Sequence, residues 1–423
     1  MAFSAGAYPC RKIAFALNGL RITQIEPRVR GSASQIDLFR KRKLGQNGPD
    51  RGGKIADGEP RSPLWTFEEV CQVNVCLFLP NWLGDLVMAV PALRAIRHGL
   101  GQSARIIGIT RPNLAGLLAK GTWLDEEWYF DPHGDDPRFG TTCLIEKLRA
   151  VRWDMGILFS NSFRAALLAV AGGVPVRIGY ARHGRRLLLT HPITLPQFDG
   201  KICPVPMVDY YLRLAAAAGF PSEDRRLELS LSPWGMVYAD RIWRDLSLNR
   251  ADRVVAMHVA AAYGAAKSWP REHFIQLARK IVGNTTASVL FVCGQRERVT
   301  VQSIAREVDN PRVVSLADYP LDLQTLKACL ARCDVMVSTD SGPRHVAAAL
   351  GKPVITLFGP TSPVVTANPW VQGFDLQLRL DCVPCWQRTC PRGHHRCMKD
   401  LSPDTVFNHL YPLLMQQGLR GAA

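Results

Sequence analysis

Short apolar runs alternate with helically spaced apolar positions along most of the chain. Residues 73–79, 105–109 and 155–159 are apolar, rich in Val, Ile and Leu, and bounded by turn residues, the pattern of buried strands. Residues 86–98, 144–150, 164–171 and 208–217 carry apolar side chains at helical spacing, with Pro91 expected to bend or delay the first helix. Residues 233–249 read as a helix and linker. The alternation then restarts, with strands expected at 254–259, 288–292, 312–315, 335–338 and 354–357 and helices between them. Strands that alternate with helices pair in parallel, because a parallel neighbour is reached only through a long crossover. The fold class is therefore α/β, with two Rossmann-like, doubly wound domains facing a central cleft. Residues 403–417 read as a terminal amphipathic helix.

The most complete unit is residues 334–363, DVMVSTDSGPRHVAAALGKPVITLFGPTSP. Its strand runs into Thr339, Asp340, Ser341 and Gly342, which are turn and cap residues, and Pro343 suits the first helical turn. Gly351 suits the position after the helix, and Pro353 stops it before the next strand. A helix that begins directly after a strand aims free N–H groups and its positive dipole end at the strand's carboxyl edge, which suits phosphate. Alone, such a turn more often serves simple chain reversal, so other stretches must decide.

Two further loops fall at the same kind of edge. Asp85, in LPNWLGDLVM after the first strand, is placed either as a helix cap or as a general base for an acceptor hydroxyl in the cleft. In HVAAAYGAAKSWP, after the first strand of the second domain, small residues permit close backbone approach and Lys267 can neutralise phosphate; a solvated lysine is the alternative. No G-x-G-x-x-G follows the first strand, which argues against a nicotinamide enzyme.

Composition adds a direction. The 52 Lys and Arg outnumber 36 Asp and Glu, a formal +16 that favours an anionic partner. Seven of these net charges lie in the first 63 residues, where periodicity is weak, so 1–64 is expected to be a disordered basic tail. The domains are then expected at 65–245 and 246–423. The absence of a long apolar run predicts no transmembrane helix, and the lack of a signal-peptide pattern predicts a cytosolic location with reduced thiols.

The segments LPNWLGDLVMAVPALRAIR, LFSNSFRAALLA, RIGY, YGAAKSWP, STDSGPRHVAAALGKPVITLFGPTSP and DCVPCWQRTCPRGHHRCM together resemble glycosyltransferase family 9, the bacterial ADP-heptose:lipopolysaccharide heptosyltransferases, and within it the heptosyltransferase II branch. The resemblance implies a GT-B fold, an acceptor domain followed by a nucleotide-sugar domain, inversion at the anomeric carbon, and no cofactor required for catalysis. It implies Asp85 as the base and a donor site of Tyr263, Gly264, Lys267, Asp340, Ser341, Gly342 and His345, with Glu297 near the ribose. It also implies an ADP-heptose donor, an inner-core lipopolysaccharide acceptor, peripheral contact with the cytoplasmic face of the inner membrane, and a terminal helix that crosses back to the first domain. The chain departs from the family pattern at Val259, Ala260 and Ala265, where Pro and Gly are usual, which leaves the donor sugar open.

Asn81, Arg164, Arg182 and Arg185 are candidates to hold an acidic acceptor; ordinary surface charge is the alternative for the arginines. Cys382, Cys385, Cys390 and Cys397, with His394 and His395 among them, have the spacing of a structural zinc site, or are a set of reduced thiols or a disulfide pair. The competing functions are transfer of another nucleotide-activated sugar, a degenerate nucleotide-sugar binder, or a nucleic-acid-binding protein. The basic tail offers Phe39 and few other aromatic residues for base stacking, so nucleic acid is the poorest fit.

Overall fold

The computed structural model describes residues 72–416, apart from 196, 199–200, 203, 260–262 and 321. The expected basic tail lies outside the described residues, as does Ala260.

Two six-stranded, all-parallel sheets carry the fold. The first is built from β1 (Asn74–Phe78), β2 (Arg105–Thr110), β3 (Glu126–Tyr129), β4 (Met155–Leu158), β5 (Arg177–Tyr180) and β6 (His191–Ile193), in the order β3-β2-β1-β4-β5-β6. A short antiparallel pair, β7 (Gln197–Phe198) and β8 (Lys201–Ile202), follows. The second sheet repeats the order as β11-β10-β9-β12-β13-β14, from β9 (Val254–His258), β10 (Ser288–Val292), β11 (Val313–Ser315), β12 (Val335–Thr339), β13 (Val354–Phe358) and β14 (Gly373–Gln377). In both sheets the winding reverses beside the first strand. That reversal opens a crevice at the strands' carboxyl ends, where ligands of such sheets bind. The central strands are buried on both faces, which is why they read as continuous apolar runs.

The helices of the first half are α1 (Leu83–Leu100), α2 (Thr141–Arg149), α3 (Phe163–Ala171) and α4 (Met207–Ala217). Helix α1 continues through Pro91 and begins three residues earlier than the sequence pattern suggested. It is almost wholly buried, packed against α4 on one side. Linker helix α5 (Pro233–Asp245) leads into the second half, which holds α6 (Arg271–Asn284), α7 (Arg298–Val308), α8 (Leu323–Arg332), α9 (Gly342–Ala349), α10 (Arg396–Lys399) and α11 (Pro403–Met415).

Helix α11 does not cross to the first sheet. It packs on α6 and β13, and Val406, Leu410 and Leu414 join the second half's hydrophobic core. The physical reason is that its apolar stripe finds a full set of apolar partners on that half.

The halves are held together by α5 against α8 and by α1 against α9. Lys327 of α8 is fully buried and donates to the carbonyls of Leu117 (2.7 Å) and Ser230 (2.8 Å), so one cation ties both halves. Burial pulls its pKa down to about 8, with Glu127 opposing the shift. No helix among the described residues is long and apolar enough to cross a membrane.

Candidate active site

Strands β9 and β12 are neighbours at the winding reversal of the second sheet, so their carboxyl ends, His258 and Thr339, open onto its crevice. Helix α9 starts there. Ser341 stands at its N-cap without capping through its side chain. The Ser341 hydroxyl instead meets Ser338 Oγ (2.9 Å) and His258 Nδ1 (3.1 Å). First-turn N–H groups have no intrahelical partner, so this helix end presents donors and positive dipole to the cleft. Burial drops the His258 pKa to about 4, so its ring is neutral at physiological pH.

Asp340 gathers the local charge. It accepts from Lys267 Nζ at 2.5 Å, from Arg344 at 2.9 Å and from Thr361 Oγ1 at 2.7 Å. Burial opposes ionisation of Asp340, but Arg344 and Lys267 outweigh it and hold the carboxyl far below its usual range. Two cations share one carboxylate, so this three-residue cluster carries one net positive charge.

The Lys267 loop is shaped by a backbone constraint. Gly264 has φ +151°, and a Cβ there would stand 2.5 Å from the Arg388 carbonyl oxygen. Ala266 N donates to that same carbonyl (3.0 Å), and the Tyr263 hydroxyl donates to the Trp386 carbonyl (2.6 Å). Lys267 Nζ lies 4.8 Å from the centre of the Tyr263 ring. The loop is thus clamped from above by the segment that leads into the cysteines.

Asp85 enters from the other half, in the first turn of α1. It lines the same cleft as Lys267, Asp340, Ser341 and Gly342, a cavity of about 570 Å³. Burial raises its pKa to about 6; Asp340 adds to the rise, while Lys267 and a hydrogen bond from Tyr211 oppose it. This is a carboxylate that is ionised at neutral pH yet poorly solvated, the condition for an effective base. His345 is buried and neutral, its pKa held well below normal by burial and then by Arg344. It lines the cleft and packs against Gly84. Tyr263, Gly342 and Glu297 also border the cleft, though Glu297 spends one oxygen on Gly294 N (2.8 Å).

A second cavity, of about 340 Å³, lies at the first sheet's carboxyl edge. Asn81 and Arg164 line it, together with Arg111, His133, Ser160 and Ser162. Arg182 lies near Tyr210. Arg185 is not on the surface at all. Its fully buried guanidinium donates to the carbonyls of Ser160, Ser162 and Tyr180 and to Asn161 Oδ1. Those acceptors fix the loop rather than leave the group open to ligand.

Several groups escaped the sequence reading. His258 and Tyr211 are ordinary core residues by pattern, and only the fold brings them to the site. Arg344, in the first turn of α9 and four residues after Asp340, had a spacing from which the pair could have been read.

Cys382, Cys385, Cys390 and Cys397 are free thiols that line one small cavity with His394 and His395. His395 N donates to Cys390 Sγ (3.4 Å), and His395 Nε2 contacts the Ala266 carbonyl (2.8 Å). Among the described residues, no three His, Cys, Asp or Glu side chains stand in an arrangement that holds a metal ion.

Residues 141–395 match the pattern of glycosyltransferase family 9 (heptosyltransferase). The chain belongs to glycosyltransferase family 9. Among its family 9 relatives, the lipooligosaccharide heptosyltransferase 2 of Campylobacter jejuni is 31% identical over 360 residues, spanning 82% of this chain and all of that protein. The lipopolysaccharide heptosyltransferase 2 of Escherichia coli is 26% identical, spanning 82% of this chain and 99% of that one. The fold matches the solved E. coli ADP-heptose lps heptosyltransferase II with a TM-score of 0.66 at 24% identity, over 82% of this chain and 99% of that one. A family 9 structure from Veillonella parvula matches with a TM-score of 0.68 at 20% identity, over 82% and 97%. The protein is thus a glycosyltransferase with the GT-B fold.

Proposed function

We propose that this enzyme transfers heptose from ADP-heptose to the inner core of lipopolysaccharide, with inversion at the anomeric carbon. The first half takes the acceptor and the second the donor. The observation that carries the reading is the meeting of Asp85, from α1, with the Lys267, Asp340 and α9 cluster in one cleft. Family membership and the names of the relatives support the donor and acceptor classes.

In this mechanism Asp85 takes the proton from the acceptor hydroxyl as its oxygen attacks C1 of heptose. The bond between C1 and the phosphate oxygen breaks, and ADP leaves carrying the electron pair. Lys267 and the α9 N-terminus offset the charge that grows on the departing phosphate as fixed donors in the cleft, and Arg344 adds its positive charge from behind Asp340. Asp340 holds both cations in place between turnovers. The acceptor sugar lies against Asn81 and Arg164, and Glu297 faces the ribose. The enzyme works at the cytoplasmic face of the inner membrane as a peripheral protein.

The four cysteines carry the ligand types of a structural zinc ion, although the described side chains do not stand in an arrangement that holds one. What favours such a site is the small cavity the four cysteines share with His394 and His395. Elemental analysis before and after chelation tests this; purified protein without bound metal removes it.

The main reading is tested by presenting ADP-, GDP- and UDP-sugars to the enzyme with heptose-deficient lipopolysaccharide. ADP release and product formation from ADP-heptose alone are expected. Preference for another nucleotide sugar would reassign the donor.

A further inference from the structure

Helix α3 turns an apolar face to solvent. Phe163, Leu167 and Val170 follow one another at helical spacing and are 48%, 48% and 40% exposed. The 3₁₀ turn Arg185–Leu188 packs against this helix and presents Leu187, which is 93% exposed. The buried Arg185 guanidinium pins that turn to the Ser160 and Ser162 carbonyls at the start of α3, so the four apolar side chains belong to one rigid surface.

The charge around this surface is predominantly positive. Residues 155–198 contain no Asp or Glu, while Arg164 and Arg186 are exposed and Arg177 and Arg182 half-buried. Neighbouring α2 sets Lys147 and Arg149 against Glu146. Exposed apolar residues ringed by arginines suit an interface where acyl chains meet anionic headgroups. A site for a soluble anion would not need Leu187 in water. The patch also adjoins a route to the chemistry, because Phe163 and Arg164 line the cavity at the first sheet's carboxyl edge.

We infer that the α3 face and the Arg185–Leu188 turn dock the enzyme on an anionic bilayer surface, bringing a lipid-anchored acceptor to the mouth of the first-half cavity. The inference rests on the lipid-anchored acceptor proposed above. Docking leaves the donor cleft free.

The test uses the full chain and the Leu167→Glu/Leu187→Glu double variant, both changed only at exposed positions. Vesicles of phosphatidylglycerol and phosphatidylethanolamine are expected to sediment the wild type, and phosphatidylcholine vesicles far less. The double variant is expected to lose vesicle affinity about tenfold or more. It should turn over a water-soluble, delipidated core oligosaccharide at the wild-type rate, and a vesicle-embedded acceptor more slowly. The basic first 63 residues are common to both proteins and cancel. Equal vesicle binding by the double variant, or equal wild-type binding to phosphatidylcholine, overturns the inference. So does a wild-type dimer that the double variant dissolves without any vesicle binding. Absence of turnover on either acceptor would instead count against the proposed function and leave the vesicle result standing.

Discussion

Gly84 of α1 and His345 of α9 meet across the cleft with no room for a side chain between them: a Cβ on Gly84 would stand 2.7 Å from His345 Cδ2. The contact is matched by Gly342, where a Cβ would fall 2.8 Å from Leu83 Cβ. Two helix N-termini from different halves are thereby brought together, which sets Asp85 opposite the Lys267 cluster. Gly84→Ala is expected to force the helices apart. Overpacking at such a contact costs about 1–3 kcal/mol. The variant should melt earlier and lose more in kcat than in donor affinity; wild-type kcat would show that the spacing is unimportant.

Lys267 is the cation best placed for the leaving phosphate. Lys267→Ala removes one of the charges on Asp340 and the one nearest Tyr263. Loss of a fixed group that stabilises developing charge lowers the rate by about 10²–10³-fold. Steady-state kinetics with ADP-heptose should show that fall together with weaker ADP binding.

Gly264 has a left-side φ that only glycine adopts without strain. Gly264→Ala is expected to push Arg388 away and loosen the Lys267 loop. Strain of this kind costs about 1–3 kcal/mol. The expected reading is a donor Kd raised about tenfold with acceptor binding unchanged, since about 1.4 kcal/mol is a factor of ten.

Much of this arrangement was legible in sequence. The parallel alternation, the strand and helix of residues 334–363, and the small-residue loop before Lys267 follow from local periodicity and turn chemistry. The winding reversal that places His258 beside Ser341 did not, because strand order is a long-range property. Arg185 looked like one arginine among four on a basic loop; its burial depends on carbonyls more than twenty residues away. The terminal helix carried an apolar stripe but no mark of which half would receive it.

Asp85 links stability to pH in a definite direction. Its folded-state pKa is raised, so the ionised form is penalised at neutral pH; the penalty fades as pH falls through about 6 and is gone below the unfolded value. Asp85→Asn is therefore expected to stabilise the fold at pH 7 by up to about 2 kcal/mol, after allowing for partial exposure. Denaturant titration at pH 7 and at acid pH checks this, with the gain confined to pH 7. In the wild type, kcat/KM should fall as pH drops through about 6, where Asp85 takes up a proton and can no longer accept one.

The most direct test is single-turnover ADP release by Asp85→Asn, with ADP-heptose and heptose-deficient acceptor, read beside calorimetry of donor binding. The rate is predicted to fall about 10²–10⁴-fold while the donor Kd stays within about threefold of wild type, the signature of a lost base. Wild-type turnover in Asp85→Asn would contradict the account, because the proton would then be leaving by another route.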